Sequence, residues 1–516
     1  MTDVVLRNAV LLDPATGGYR PETSLVVRAG VIVADDAAPA ATDIDLRGAV
    51  VVPGLIDGHT HPVSGADLTR GVDLSPCTDL AGVRTELARA RAALRPGEWL
   101  HGWGLDPNVF GDRPISADTV GPVLDGVPAV LRLFDAHSTL ASHRALESAG
   151  VTGPRRFDEF AEVVCDPAGR PTGLLLEEPA SMLVEEAAPK LTDSQFQARV
   201  AEVLRVMAAA GLTGGHMMEG DPAERAVLRA LEERGELPLR LRLAPWCRPD
   251  SADVDALIAA QGSGGELWRV HGVKLFMDGT IDNGTAWLEK PDCHGESTHA
   301  YWPDPDRYSQ IVTILDAAGV PTATHAIGDA AVRHVLSSLE KSRNIGHRIE
   351  HIETLPDDLV PLFAQLGVTA SMQPTHCCEF TRADHTDNWS RRLGPERAAR
   401  AWRCRDLFDA GANVILGSDW PIAPFPPLAV MAGARHRRPA RDMSRPPHGP
   451  SQSLTPLQAL QGMTINAGSG RLAVGDRADL TVLAEDPLLV ADADLAELPV
   501  RLTVTGGRIT HRAADL

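Results

Sequence analysis

Eight short apolar runs recur through the middle of this chain, separated in several places by stretches of helical periodicity, and this alternation limits its fold more than any other feature. In order they are LIDGHTH (55–61), TGGHMM (213–218), LRLRLA (239–244), VHGVKLF (270–276), VPTATHA (320–326), RIEHI (348–352), VTASMQ (368–373) and NVILGS (413–418). Strands buried on both faces read as near-continuous apolar runs, and strands that alternate with helices form parallel sheets. Several connections are legible. Phe196, Val200, Val203, Leu204 and Met207 fall at helical spacing ahead of Gly211, a C-cap candidate, and Val332, Val335, Leu336 and Leu339 do so after Asp329, an N-cap candidate. Eight such units predict an α/β chain built on a (β/α)8 TIM barrel, in which chemistry sits at the C-terminal ends of the strands.

About 150 residues lie between the first and second runs, far more than a strand-to-helix connection needs. A large insertion after strand one is expected at 65–190, with PAVLRLFDAHSTLASHRALE strand-like then helical and an AGRPTG turn between two short strands. Both chain ends alternate as β: VVLRNAV and SLVVRAGVIV near the start, ADLTVLA and RLTVTGGRITH near the end. Neither piece could bury a core alone, so residues 1–53 and 466–516 are expected to form one small β-sandwich beside a barrel spanning 54–465. The Pro- and Arg-rich stretch 433–453 lacks periodicity and reads as a long loop with a solvated basic cluster.

With 516 residues, the chain is long enough for a barrel and an accessory domain. A formal net charge of -20 argues against a nucleic-acid partner. The N-terminal stretch lacks a basic region and a long apolar core, and no apolar run reaches the length of a membrane span, so a cytoplasmic location without membrane contact is expected. Seven scattered cysteines with no CxxC pair suit neither a disulfide framework nor a thiolate zinc site, and adjacent Cys377 and Cys378 read as small buried residues.

The strand ends carry ligand-type side chains. His59 and His61, two residues apart on a strand, point the same way and can converge on one ion. His325 ends the fifth run, His351 lies in the sixth, and Asp419 follows the eighth. Lys274 lies within the fourth, in a chain whose only other lysines are 190, 290 and 341. Burial beside a metal would favour its neutral amine, which can take up carbon dioxide and become an anionic carbamate ligand, something Arg cannot do. The competing reading pairs Lys274 with a carboxylate such as Asp278.

Taken together, PGLIDGHTHP, VKLFMDGTIDNGTA, THAIGDAAV, RIEHIE, QPTH, GSDWPI and the closing GRLAVGDRADLTVLAEDPL make the chain resemble the amidohydrolase superfamily. It resembles specifically the YtcJ-like branch (amidohydrolase family 3), which is similar to N-substituted formamide deformylases, over essentially the whole chain. The resemblance implies a β-sandwich, a barrel with a large insertion, and a centre of two divalent metal ions of the zinc type. It implies His59 and His61 on one ion, His325 and His351 on the other, carboxylated Lys274 bridging them, and Asp419 beside the first. The implied activity is hydrolysis of a non-peptide C–N bond, amide or formamide-like, by a metal-bridging hydroxide, with Asp419 as general base then acid.

Other candidates are weaker. His376 could stabilise a carbonyl oxygen or be an ordinary loop histidine, and His216 could line the pocket or orient a ligand. His137, Trp103 and Asp106 in the insertion are candidates for the pocket or for structure. By alternation Glu350 and Glu353 face away from His351. The chain departs from the branch at GTIDNGTA (279–286), where relatives typically show a GSLGSRTA-like loop. This brings in Asp282 as a candidate substrate contact and leaves substrate choice open. A second departure, a shortened segment between TINAG and GRLAVGD, bears on a surface loop. A deaminase or other hydrolase using the same centre, or a non-catalytic ligand-binding relative, remains an alternative. A small-molecule substrate is the expected partner, a homo-oligomer is left open, and manganese, iron or cobalt would suit the ligands as well as zinc.

Overall fold

A computed structural model describes residues 3–34, 40–134, 136–157, 161–249 and 253–516. Residues 1–2 and 35–39 of the expected sandwich, and Asp135 and 158–160 of the expected insertion, lie outside the described residues. The chain divides into two compact units: Met1–Pro62 with Val200–Leu516, and Val63–Arg199.

The larger unit is α/β, with the apolar runs in two wholly parallel sheets. One has the order Trp268–Val270, Arg240–Leu243, Leu212–Met217, Leu55–Thr60. The other runs in chain order through Val273–Phe276, Thr322–Ala326, Arg348–His351, Thr369–Met372 and Val414–Leu416. Single parallel bridges connect the sheets at both borders, Trp246 to Lys274 and Thr60 to Trp420. The run at 270–276, expected as one strand, is two. Val270 pairs with Leu243, while Val273 pairs with Thr322 in the other sheet. The break falls at Gly272, whose φ of 109° lies where L side chains rarely go.

Helices cover these strands with their apolar stripes. Helix Asp193–Ala209 buries Val200, Leu204, Met207 and Ala208, and each large apolar side chain removed from water contributes about 1.5–3 kcal/mol. It stops two residues short of Gly211. Helix Asp329–Leu339 buries the expected Val332, Val335, Leu336 and Leu339. Asp329 is not its cap, however: Gly328 holds that position, and the Asp329 carboxylate accepts from the Glu289 and Ala330 amides.

Both chain ends share one six-stranded sheet, in which Val50–Pro53 pairs antiparallel with Leu480–Leu483. A second, four-stranded sheet contains Val4–Arg7, Leu25–Arg28, Val31–Val33 and Thr42–Asp45. A single apolar cluster draws on both sheets, including Leu6, Val27, Val51, Leu480 and Val504.

The stretch 433–453 departs from expectation. Its first residues complete helix Pro427–His436, and the basic cluster is not all solvated. Arg437 is fully buried and donates to the carbonyls of His448, Trp402 and Ala401. Arg435 donates to those of Pro487 and Val490. Buried guanidinium groups are tolerated where their donors find acceptors; among the described residues Arg435 Nε is a buried donor that does not.

The smaller unit has its own six-stranded sheet, ordered Glu162–Cys165, Pro171–Leu176, Thr139–Ala141, Ala129–Leu133, Leu100–Leu105, Val72–Asp73. Its first two strands form the hairpin around the AGRPTG turn. Helix Leu80–Ala92 buries Leu80, Val83 and Leu87, which pack with Leu100 and Leu131 of the sheet.

Candidate metal centre

The strand ends converge where Leu55–Thr60 meets the segment after Val414–Leu416. There the Asp419 amide donates to the His59 carbonyl (2.7 Å) and the His61 amide to the Trp420 carbonyl (2.9 Å). Such close approach leaves no room for a side chain at Gly417, where a Cβ would stand 2.5 Å from the His59 nitrogen. Buried Asp57 ties the two segments together, accepting from the Ser418 amide (3.0 Å) and hydroxyl and from the His59 amide (3.1 Å). Burial pushes its carboxyl up to about 6 despite these donors.

Asp419 sits at the middle of the histidines. Its Oδ1 lies 3.2 Å from Nε2 of both His59 and His61, and its Oδ2 is 3.8 Å from His351 Nδ1 and 3.7 Å from His376 Nε2. The ring centroids of His325 and His351 are 4.4 Å apart, and those of His59 and His351 4.9 Å. Two of these residues have unusual backbones, with φ of 75° at His351 and 58° at Asp419. Burial would raise the Asp419 carboxyl, but His59, His61 and His351 outweigh it and hold the group well below the usual carboxylate range. Burial lowers the imidazoles of His61, His351 and His376.

Lys274 is buried within the same cluster. Burial depresses its ammonium to about 8 even though Glu350 and Asp419 pull it upward. It does not pair with Asp278: that carboxylate is taken up by the amides of Ile327, Gly328 and Trp287 at 2.8–3.0 Å, and burial pushes it up to about 7.

The donor set fits a divalent metal. One ligand atom each from His59, His351 and Asp419 lie within 4.8 Å of one another, all in buried side chains. Among the described residues, His351 Nδ1 and His376 Nε2 are buried ring nitrogens without a hydrogen-bond partner. His325 Nε2 is 3.1 Å from the Gly279 carbonyl, so a singly protonated ring would carry its proton there and its lone pair at Nδ1. A cluster of imidazole nitrogens around a carboxylate is the composition of a nitrogen and oxygen metal site.

Not every expected residue belongs to this cluster. His216 packs behind it, with Nε2 3.1 Å from the Ala467 carbonyl and Nδ1 against the Arg348 guanidinium. Asp282 accepts from the Asn388 amide through its backbone and side-chain oxygens. His137 and Trp103 lie in the smaller unit, where His137 Nδ1 is 3.0 Å from Glu177 and Trp103 is half-buried in strand Leu100–Leu105. Asp106 caps a short 3-10 turn. Cys377 and Cys378 are buried, and burial raises both thiols.

Sequence reasoning missed Glu350 and Arg348. Glu350, expected only to face away from His351, is fully buried, with Oε2 2.6 Å from His59 Nδ1. Alternation misled because the backbone is left-handed at both His351 and Ile352, so the strand's period ends there. Glu353 is buried too, accepts from the Trp389 indole at 2.7 Å, and is pushed by burial up to about 8.

The amidohydrolase family pattern matches residues 43–511. The chain is 27% identical over 495 residues to the provisionally named amidohydrolase YtcJ of Bacillus subtilis (strain 168), covering 92% of this chain and 91% of that protein. It is 26% identical over 504 residues to the N-substituted formamide deformylase of Arthrobacter pascens, again covering 92% and 91%. Among solved structures, an uncharacterized metal-dependent hydrolase from Pyrococcus horikoshii OT3 superimposes with a TM-score of 0.73 at 21% identity, covering 95% of this chain and 99% of that one.

Proposed function

This chain belongs to the amidohydrolase family, and from that premise we propose that it is a metal-dependent hydrolase of a non-peptide C–N bond, in an amide or formamide-like small molecule. The observation that carries the reading is Asp419, with one oxygen 3.2 Å from Nε2 of both His59 and His61 and the other facing His351 and His376. The likeness to the Arthrobacter pascens deformylase favours an N-formyl or N-acyl substrate. In the same reading the bridged parallel sheets are a (β/α)8 barrel over 54–465, the terminal sheets are a β-sandwich of 1–53 and 466–516, and 65–190 is an insertion.

His59 and His61 would hold one divalent ion, His325 and His351 a second, with zinc the first choice. Lys274 would bridge them as a carbamate: its neutral amine forms a bond to the carbon of carbon dioxide and gives up a proton. When bound, two such ions would supply an activated water near neutral pH and polarise the scissile carbonyl. The chain's own groups do the rest. Asp419, ionised by its ring of imidazoles, accepts the proton of the attacking water and passes it to the leaving nitrogen. His376, on the Oδ2 side of Asp419, would hold the carbonyl oxygen. Among the described residues no helix is long and apolar enough to cross a membrane, and we propose a cytoplasmic enzyme.

The test is to incubate zinc-loaded protein with N-formyl amines, N-acyl amino acids and cyclic amides and to follow amine release. Release that a chelator abolishes is expected. Ammonia released from an aminopurine instead would make the chain a deaminase. Far less than one metal per chain after growth in zinc would favour a non-catalytic relative.

A further inference from the structure

Behind His59 lies a chain of buried and half-buried polar groups to which the proposed reaction assigns nothing. Oε2 of Glu350 is 2.6 Å from His59 Nδ1. Arg348 grips the same carboxylate with two nitrogens, Nε on one oxygen and the terminal nitrogen on the other at 2.9 Å. That terminal nitrogen also donates to the Ser371 hydroxyl (2.7 Å) and to the carbonyl of Gly58, the residue before His59. The remaining guanidinium nitrogen meets His216 Nδ1, and His216 Nε2 reaches the Ala467 carbonyl.

The donor and acceptor roles along this chain follow from the inventory of the groups. Guanidinium only donates, so His216 accepts at Nδ1 and carries its proton at Nε2, where a carbonyl receives it. A carboxylate held by a two-nitrogen guanidinium fork is ionised and only accepts, so His59 must donate from Nδ1. A neutral His59 then has its lone pair at Nε2, the nitrogen facing Asp419. Two acceptors facing each other at 3.2 Å are unfavourable unless a cation or proton lies between them.

We infer that Glu350 is a positioning residue which, braced by Arg348 and His216, fixes His59 as its Nδ1–H tautomer and so presents Nε2 to a metal. Arg348 offsets the charge of Glu350, so the pair orients the ring without adding net negative charge behind it. The same guanidinium holds the ring through Glu350 and the backbone through Gly58. Fixing a ligand's ring in this way is the role outer partners play in metal sites, where their loss weakens binding about 10–100-fold.

The inference rests on the reading of the cluster as a metal centre, and the experiment separates the two. In chelator-stripped wild-type protein, imidazole 15N–1H correlation spectra should show His59 protonated at Nδ1, a signature that needs neither metal nor variant. Zinc affinity by chelator competition should fall about 10–100-fold in Glu350→Gln. It should stay within about twofold in Glu353→Gln, which alters a buried carboxyl on the same segment that serves Trp389 rather than a histidine. A wild-type His59 protonated only at Nε2, zinc affinity unchanged in Glu350→Gln, or an equal loss in both variants would each overturn the positioning role. Wild-type protein that binds no zinc would overturn the metal reading and this inference with it, whereas zinc binding unaltered by Glu350→Gln overturns the inference alone.

Discussion

Replacing Lys274 with Met should stabilise the metal-stripped protein while destroying its capacity for metal. The Lys274 ammonium is buried, and burial brings its pKa from 10.5 to about 8. At about 1.4 kcal/mol per pH unit, that depression amounts to about 3 kcal/mol against the charged form in the folded state. The sign follows from proton binding. Between pH 8 and 10.5 the unfolded chain holds a proton that the folded chain lacks, so stability rises with pH there; below 8 both states are protonated and the folded state carries the whole cost. Methionine fills similar volume without the charge. Urea unfolding of the two chelator-treated proteins should therefore give Lys274→Met an advantage of about 3 kcal/mol at pH 7, shrinking steadily as pH approaches 10.5. Taking the difference between the proteins removes the titration of groups distant from Lys274, and His61 and His351, whose imidazoles its charge also lowers, titrate below this pH window. A difference flat with pH, or a variant less stable at pH 7, would refute the argument that Lys274 is held at a cost. About one chain in ten carries the neutral amine at pH 7 if its pKa is about 8, which is the form that carbamate formation consumes.

Asp419→Asn should keep the fold but lower turnover by about 10²–10⁴-fold, the usual contribution of a proton-transfer group; turnover equal to wild type in a fully metallated variant would remove Asp419 from that role. Gly417→Ala places a methyl 2.5 Å from the His59 nitrogen and 3.0 Å from an Asp57 oxygen. It should cost about 1–3 kcal/mol and lower bound zinc, read by thermal melting and metal analysis; an unchanged melting point would show that the two segments can part freely.

What could be read from residues alone follows from how local each signal is. Parallel strands buried on both faces leave apolar runs, so the strand ends bearing His59, His325 and His351 were visible without contacts. The pair His59 and His61 needed only the two-residue period of a strand. Glu350 failed the same rule because the rule assumes extended backbone, and the left-handed residues after it are set by tertiary packing. Arg437 was misjudged for a related reason: charge predicts exposure only when no buried carbonyls await the donors, and those of Ala401, Trp402 and His448 come from distant segments. Asp278, the carboxylate weighed against a metal for Lys274, is claimed by amides up to fifty positions away, which no local pattern signals.

The left-handed backbone at His351 and Asp419 sets a condition for anyone who would copy this centre into another scaffold. Side chains on ordinary strands, spaced at two or four residues, would aim elsewhere, because these two groups approach their neighbours by way of φ values of 75° and 58°. Each such residue costs of order 1–3 kcal/mol, so a design procedure that ranks candidates by backbone ease would discard both positions or fill them with Gly or Asn. A transplant must therefore carry the local chain path together with the residues, and its recipient needs stability in reserve.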